Sequence, residues 1–223
     1  MEHSMTQGLS ESDFVPLYRR NHDFWESKPS TIGGMMLLSD TDTLDEAEKA
    51  DILSQLPSLS QADILELGAG IGRYTSHFIH MAHHVTVVDF VEKFVEENRR
   101  TTSHFNNTSY YCANVMDLEF HDGSFDFIFI NWLFMYLDDT QAEQLRNCIH
   151  RWLRENGKVF FRESCFVGST GTPPPPDNPT RYRSDTYYTR LFETHFVLQH
   201  RGNIKVYEER YHNPHQHYWL FQK

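Results

Sequence analysis

The chain has 223 residues and a formal charge of −11 at pH 7, with 39% hydrophobic and 14% aromatic residues. That length suits one sizeable domain, or a domain with extensions, around a real core. The negative balance argues against nucleic acid or an anionic membrane as partner, although a small anionic substrate responds to local charge.

The opening Met1 to Gln7 is polar and lacks the apolar run of a signal peptide. Phe14 to Trp25 sets Phe14, Leu17, Tyr18, Phe24 and Trp25 among charges, which predicts an N-terminal helix. Pro29 to Asp42 is looser and carries Gly33-Gly34-Met35-Met36. Thr43-Leu-Asp-Glu46 reads as a capping box opening a helix to about Leu56, stopped by Pro57.

The next segment is the most informative. Ile64 to Leu67 is an apolar strand that runs into Gly68-Ala-Gly70-Ile-Gly72, followed by an apolar-periodic stretch suited to a helix. Glycines let backbone turn tightly and approach a ligand, and a helix start offers free N–H groups to it. A second strand, Val85 to Asp89, ends in a carboxylate seventeen residues past Gly72. An acidic residue at about that distance can accept hydrogen bonds from both hydroxyls of a ribose. The spacing Gly-x-Gly-x-Gly misses the third glycine of the dinucleotide fingerprint, and Glu66 leading into the turn would repel a pyrophosphate. The pattern therefore favours S-adenosylmethionine, a phosphate-free cofactor with a positive centre, over NAD(P).

Val91 to Arg99 is predicted helical, Ser109 to Ala113 a third strand, Asp122-Gly123-Ser124 a turn, and Phe125 to Ile130 a strand buried on both faces. Gln141 to Arg154 is predicted as a helix with Leu145, Cys148, Ile149 and Trp152 on one side, ended by Asn156-Gly157. Lys158 to Arg162 is the fifth strand. Alternating strands and helices predict a parallel sheet covered by helices. Gly168 to Thr180, with Pro173 to Pro176, must be a surface loop and is read as a stiff element beside the pocket. A helix from about Ser184 to Glu193 and a closing antiparallel hairpin, Phe196 to Val206 with His215 to Phe221, complete the chain.

Three widely spaced cysteines, Cys112, Cys148 and Cys165, read as buried fillers in a reduced, cytoplasmic setting, where the sequons of Asn106-Asn107-Thr108-Ser109 carry no meaning. The fourteen histidines are scattered without metal-ligand spacing, so no metal is expected. No stretch is long and apolar enough to span a bilayer.

In an open parallel sheet, ligands collect outside the carboxyl ends of the strands. There the adenine ring would meet Phe90 and Val115, with Asn114 at its edge, and Asn131 would face the methionine portion. Trp132 and Tyr136 would stand over the methyl-transfer point, where aromatic faces suit a sulfonium and an ammonium. Thr180-Arg181-Tyr182-Arg183, with Lys205 later, offers arginine forks and hydroxyls suited to phosphate oxygens.

Leu65-Glu-Leu-Gly-Ala-Gly-Ile-Gly-Arg73, Val88-Asp-Phe90, Asn131-Trp-Leu-Phe-Met-Tyr-Leu137, Phe160-Phe-Arg-Glu-Ser-Cys-Phe166, Asn178-Pro-Thr-Arg-Tyr-Arg183 and Met35-Met36 closely resemble the first methyltransferase domain of plant and nematode phosphoethanolamine N-methyltransferases, over about Trp25 to Lys223. The resemblance implies a Rossmann-like class I α/β fold: a mostly parallel seven-stranded sheet, helices on both faces and an antiparallel C-terminal hairpin. Residues 1–57 would form a helical cap over the active site and 58–223 the methyltransferase domain. The implied activity is methylation of phosphoethanolamine by S-adenosylmethionine towards phosphocholine. Gly68, Gly70, Asp89, Phe90, Asn114, Val115 and Asn131, with Glu66 and Gly72 from the turn, would hold the cofactor. Trp132, Tyr136, Arg181, Tyr182 and Lys205 would hold the phosphobase. Single-domain protozoan relatives pair an N-terminal tyrosine with a histidine after strand four; Tyr136 stands at the histidine position and Trp25 or Phe24 near the tyrosine. The plant and nematode enzymes tend to carry two domains, so this unit would act alone or beside a second one. Two rival readings are a methyltransferase for another small amine or a protein N-terminus, and a non-catalytic cofactor-binding homologue.

Overall fold

A parallel sheet needs a helical crossover between its strands, and apolar runs alternating with amphipathic segments supply both. The computed structural model describes residues 16–39 and 41–223, so the predicted helix start at Phe14 and the polar opening residues lie outside it. Helices α1 (Leu17–Glu26), α2 (Ile32–Met36) and α3 (Asp42–Ser54) precede strand β1 (Asp63–Leu67). There follow α4 (Thr75–Phe78), β2 (His84–Asp89), α5 (Glu92–Thr102), β3 (Thr108–Cys112), β4 (Phe125–Asn131), α6 (Asp139–Trp152) and β5 (Leu153–Ser164). The chain closes with α7 (Asp185–Glu193), β6 (Val197–Asn203), α8 (Lys205–Tyr211) and β7 (Gln216–Gln222).

The seven strands form one sheet in the order β3-β2-β1-β4-β5-β7-β6. β1 pairs in parallel with both β2 and β4, and β7 runs antiparallel to β5 and β6. The strand order reverses between β1 and β4, which opens a crevice at their carboxyl ends. Successive strand residues point to opposite faces, so each strand feeds two cores. Leu65, Ile128, Ile130 and Phe161 pack with Leu145, Ile149 and Trp152 of α6 and Phe192 of α7. Ile64, Phe127, Phe129 and Phe160 pack with Leu44 and Ile52 of α3, Phe78 of α4 and Tyr207 of α8. The architecture is the predicted class I methyltransferase sheet with helices on both faces.

Local boundaries depart from expectation where tertiary packing decides them. α3 starts at Asp42 after Thr41, and no side-chain cap bond forms at its start, so the predicted capping box at Thr43 does not. A capping box does occur at α6, where Asp138 accepts the Gln141 N–H at 2.8 Å and the Gln141 side chain accepts that of Asp138. α6 ends at Trp152 and β5 begins at once, so Asn156-Gly157 lies inside β5 rather than ending the helix; Asn156 adopts φ 65°. The helix after the glycine turn has only four residues. The closing strands are antiparallel as expected, but β6 ends at Asn203 and α8 stands between the two strands, where the sequence predicts strand up to Val206. No described helix is long and apolar enough to cross a membrane.

Candidate functional site

The crevice between β1 and β4 opens into a cavity of about 1020 Å³, the size of a nucleoside cofactor with a small substrate beside it. Its floor is the glycine turn. Gly68 and Gly70 have φ 68° and 54°, the left-handed region where a side chain is strained. The turn's amides are largely used within the protein: Gly68 and Ala69 N–H donate to Val88 O at 2.9 and 3.0 Å, and Gly70 N–H to Asp89 Oδ2 at 2.8 Å. With α4 so short, what meets a ligand here is the turn's surface and carboxylates rather than the free helix start that had been expected.

Gly72 does not line the cavity. It has φ 89°, and a β-carbon there would come within 2.5 Å of Asn98 Oδ1. Its absence of side chain serves packing: Asn98 Nδ2 donates to Thr75 Oγ1 at 2.9 Å, and Thr75 donates to Glu66 Oε2 at 2.6 Å.

Two buried carboxyls face the cavity. Burial pushes Glu66 up to about 8, against the Thr75 hydrogen bond, with the nearby Asp89 charge adding to the rise. Burial pushes Asp89 up to about 6, against hydrogen bonds from the Val91 and Gly70 backbone. The Val91 N–H reaches Asp89 Oδ1 at 3.0 Å, so each Asp89 oxygen accepts one amide and keeps a lone pair for a ribose hydroxyl. Phe90, Val115 and Asn114 line the same end. Asn114 Oδ1 is taken by the Met116 N–H at 3.1 Å, so its amide nitrogen is what it can present to a ring edge. At the end of β4, Asn131 lines the cavity with a buried Oδ1 that has no hydrogen-bond partner among the described residues. Such an orphaned acceptor asks for a donor such as an amino group. The residues fit a sulfonium nucleoside with an amino-acid tail.

Trp132, Tyr136 and Trp25 also line the cavity, with Trp25 edge-on to Tyr136 at 5.6 Å between ring centroids. Burial raises the Tyr136 hydroxyl well above the ordinary phenol range, against side-chain hydrogen bonds with Thr180 and Trp25. Thr180 in turn donates to Asn178 Oδ1. Tyr182 lines the cavity, as does the proline loop between Gly168 and Thr180, in the position expected of a stiff element beside the pocket.

Arg181 and Lys205 do not join this group. Arg181 is exposed; its backbone N–H donates to Met135 O at 2.8 Å, and its side chain does not line the cavity. Lys205 opens α8, exposed, with its N–H on Asp51 Oδ2 at 2.5 Å, away from the cavity. The cations that do line the cavity among the described residues are Lys28 and Arg73. Lys28 lies one helical turn past Trp25 with its ammonium 4.1 Å from the Phe24 ring centroid.

Arg73 is already neutralised. It is paired with Asp45 at 2.6 Å and with Glu48, while Glu48 also meets Arg162 Nη2 at 2.8 Å and accepts from Tyr207 Oη at 3.1 Å. Asp45 also holds Lys49 at 2.6 Å. This buried ionic cluster ties α3 to the glycine turn, β5 and α8. Sequence reasoning missed it, because only folding brings residues so far apart in the chain together.

The methyltransferase domain family matches residues 64–157. The chain is 40% identical over 215 residues to a phosphoethanolamine N-methyltransferase of Triticum aestivum, covering 90% of this chain and 42% of that protein. It is 30% identical over 177 residues to N-terminal Xaa-Pro-Lys N-methyltransferase 1 of Mus musculus, covering 72% and 75%. Its fold superposes on Haemonchus contortus phosphoethanolamine N-methyltransferase 1, solved with phosphoethanolamine and S-adenosylhomocysteine, with a TM-score of 0.88 at 32% identity, over 96% of this chain and 51% of that one. The chain thus spans about half the length of the phosphoethanolamine relatives it matches. The chain is a homologue of the phosphoethanolamine N-methyltransferases over about half of their length, with the fold of the class I S-adenosylmethionine-dependent methyltransferases.

Proposed function

We propose that this chain methylates the amine of phosphoethanolamine with S-adenosylmethionine. The observation that carries the reading is one cavity lined both by carboxylates and amides suited to the cofactor and by aromatic rings with the Lys28 ammonium at its wall. When bound, the cofactor supplies an electrophilic methyl on a sulfonium.

Glu66, Asp89, Asn114 and Asn131 would hold the cofactor between Phe90 and Val115, with Gly68 and Gly70 allowing close approach. An alkylammonium has a pKa of roughly 10, so the substrate arrives protonated and must lose that proton before attack. Tyr136 keeps its own proton at neutral pH because burial raises it so far. It therefore serves as a relay that passes the substrate's proton on to solvent water and not as a standing base, while Thr180, anchored on Asn178 Oδ1, orients its hydroxyl. Trp132 and Trp25 bound the space in which the nitrogen aligns with the methyl group, and much of the rate should come from that alignment. Lys28 and Tyr182 receive the phosphate; Arg181 and Lys205 would need to move to take part. Of the three cysteines read as buried fillers, Cys165 is buried, Cys148 half-buried and Cys112 exposed, and a reduced cytoplasmic setting is part of this proposal. The reading needs no nucleic acid, membrane insertion or metal, and holds for this unit alone or beside a second methyltransferase domain.

The likeness to the mouse N-terminal methyltransferase favours a second reading, in which the amine is a peptide's first residue and Asp177 in the cavity lining meets a basic side chain. One experiment separates them. Labelled S-adenosylmethionine is supplied with phosphoethanolamine, its mono- and dimethyl forms, or a peptide beginning Xaa-Pro-Lys. Label in the phosphobase series is expected; label in the peptide alone transfers the assignment, and calorimetry showing no S-adenosylhomocysteine binding overturns both.

A further inference from the structure

Three consecutive side chains at the end of β5 converge on the segment that follows β4. Ser164 Oγ accepts the Trp132 indole N–H at 2.9 Å and donates onward to Gln216 Oε1 at 2.8 Å. Glu163 Oε1 accepts the backbone N–H of Leu133 and Phe134 at 2.9 and 2.8 Å, and Oε2 that of Met135 at 3.3 Å. Arg162 lies with its guanidinium carbon 3.4 Å from the Trp132 ring centroid, and its carbonyl accepts the Trp132 backbone N–H at 2.9 Å. Arg162 and Glu163 are completely buried, and Ser164, 2% exposed, lines the cavity with its hydroxyl committed to Trp132 and Gln216.

Strand alternation divides the labour. Arg162 and Ser164 share one face and take the indole, while Glu163 on the other reaches the amides of the one-turn helix Phe134–Tyr136. What they hold is strained: Trp132 adopts φ 58°, a left-handed conformation that a bulky residue keeps only when its surroundings over-determine it. The Arg162 guanidinium is itself fixed, since Nη2 meets Glu48 at 2.8 Å as a charge contact and Tyr207 covers it at 5.0 Å.

We propose that Arg162, Glu163 and Ser164 are positioning residues that set the angle and place of Trp132 and Tyr136 against the reacting amine. This rests on the reading above, in which those two aromatics face the amine. It predicts that Ser164 acts through the indole N–H alone. It also predicts that Glu163 acts on turnover and leaves cofactor binding untouched.

The test is a double-mutant cycle on the whole chain with phosphoethanolamine, using Ser164→Ala, Trp132→Phe and both together, with Glu163→Gln as an independent variant. Melting and S-adenosylhomocysteine calorimetry establish that each is folded and binds the cofactor within about twofold of the wild type. Ser164→Ala should lower kcat about tenfold with little change in KM, a loss in keeping with misplacement of groups around a reacting centre. In the Trp132→Phe background, which has no indole N–H, the same change should alter kcat less than about twofold. Glu163→Gln, keeping one acceptor of the two, should lower kcat and spare the cofactor affinity. Equal effects of Ser164→Ala in both backgrounds, or wild-type kcat in Glu163→Gln, overturn the inference while the proposed function stands. A wild-type protein that methylates no phosphobase overturns both.

Discussion

Asn21 on α1 and Tyr136 after β4, 115 positions apart, are joined by a buried hydrogen bond from the Asn21 side-chain amide to the Tyr136 carbonyl at 2.7 Å. This bond and the Trp25–Tyr136 ring contact hold α1 against the cavity it helps to line. Replacing Asn21 by Ala leaves a buried carbonyl unpaired, which costs about 1–3 kcal/mol. Hydrogen exchange of the α1 amides should accelerate in Asn21→Ala with the sheet unchanged. Unaltered protection of α1 would show that other contacts hold the helix.

The phosphate assignment discriminates between two cations. Lys28→Ala should raise the KM for phosphoethanolamine about tenfold, the scale of a lost charge-assisted hydrogen bond, with S-adenosylhomocysteine affinity unchanged. Arg181→Ala, outside the cavity, should change KM much less. A larger effect at Arg181 would mean that the loop carrying it rearranges on substrate binding.

Tyr136→Phe removes the relay hydroxyl and keeps the ring. Turnover should fall tenfold to a hundredfold, toward the range of general acid–base contributions, with KM moved by less. Equal kcat in both proteins rules the relay out.

The carboxyls make pH a test of the cofactor site. Glu66, Asp89 and Glu163 are raised from ordinary values of 4.5, 3.8 and 4.5 to about 8, 6 and 7, in each case chiefly by burial. A raised acid holds its proton longer in the folded chain than in the unfolded one. Its stabilising contribution is therefore full below pH 3.8–4.5 and is lost as pH climbs through about 6–8. The ligand-free Glu66→Gln variant should show a flatter decline of Tm over that window than the wild type. A positive sulfonium and ribose hydroxyls favour the ionised carboxyls, so cofactor binding near neutrality should release protons. Calorimetric enthalpies that are independent of buffer ionisation would contradict this.

The placement of Gly68, Gly70, Asp89, Asn114 and Asn131 along the cavity was legible because backbone geometry and strand-end position are local properties of the sequence. The parallel sheet was legible because runs such as Phe125 to Ile130 admit no exposed face. Lys205 was misplaced for a specific reason: Phe196 to Val206 reads as one strand, yet the chain leaves the sheet at Asn203 and turns into α8. Lys28 gave no signal, since a lone lysine after a helix looks like any solvated charge. Arg162, Glu163 and Ser164 stood in a recognisable string, but their common target 27–32 positions away, Trp132 to Met135, emerges only once β4 and β5 lie side by side.

Glu48 carries a consequence for how such a chain can be divided. Two carboxylates from α3, Glu48 bridging Arg73 and Arg162 and Asp45 on Arg73, neutralise two guanidinium groups that lie beneath the glycine turn and the aromatic wall. Cutting the chain after Pro57 would strand both cations in a dry interior, at about 3–5 kcal/mol for a broken buried pair. That approaches the entire stability of many domains. The N-terminal helices are thus not a detachable lid but a foundation stone, and a shortened protein starting at β1 should fail to fold even though it keeps every strand of the sheet.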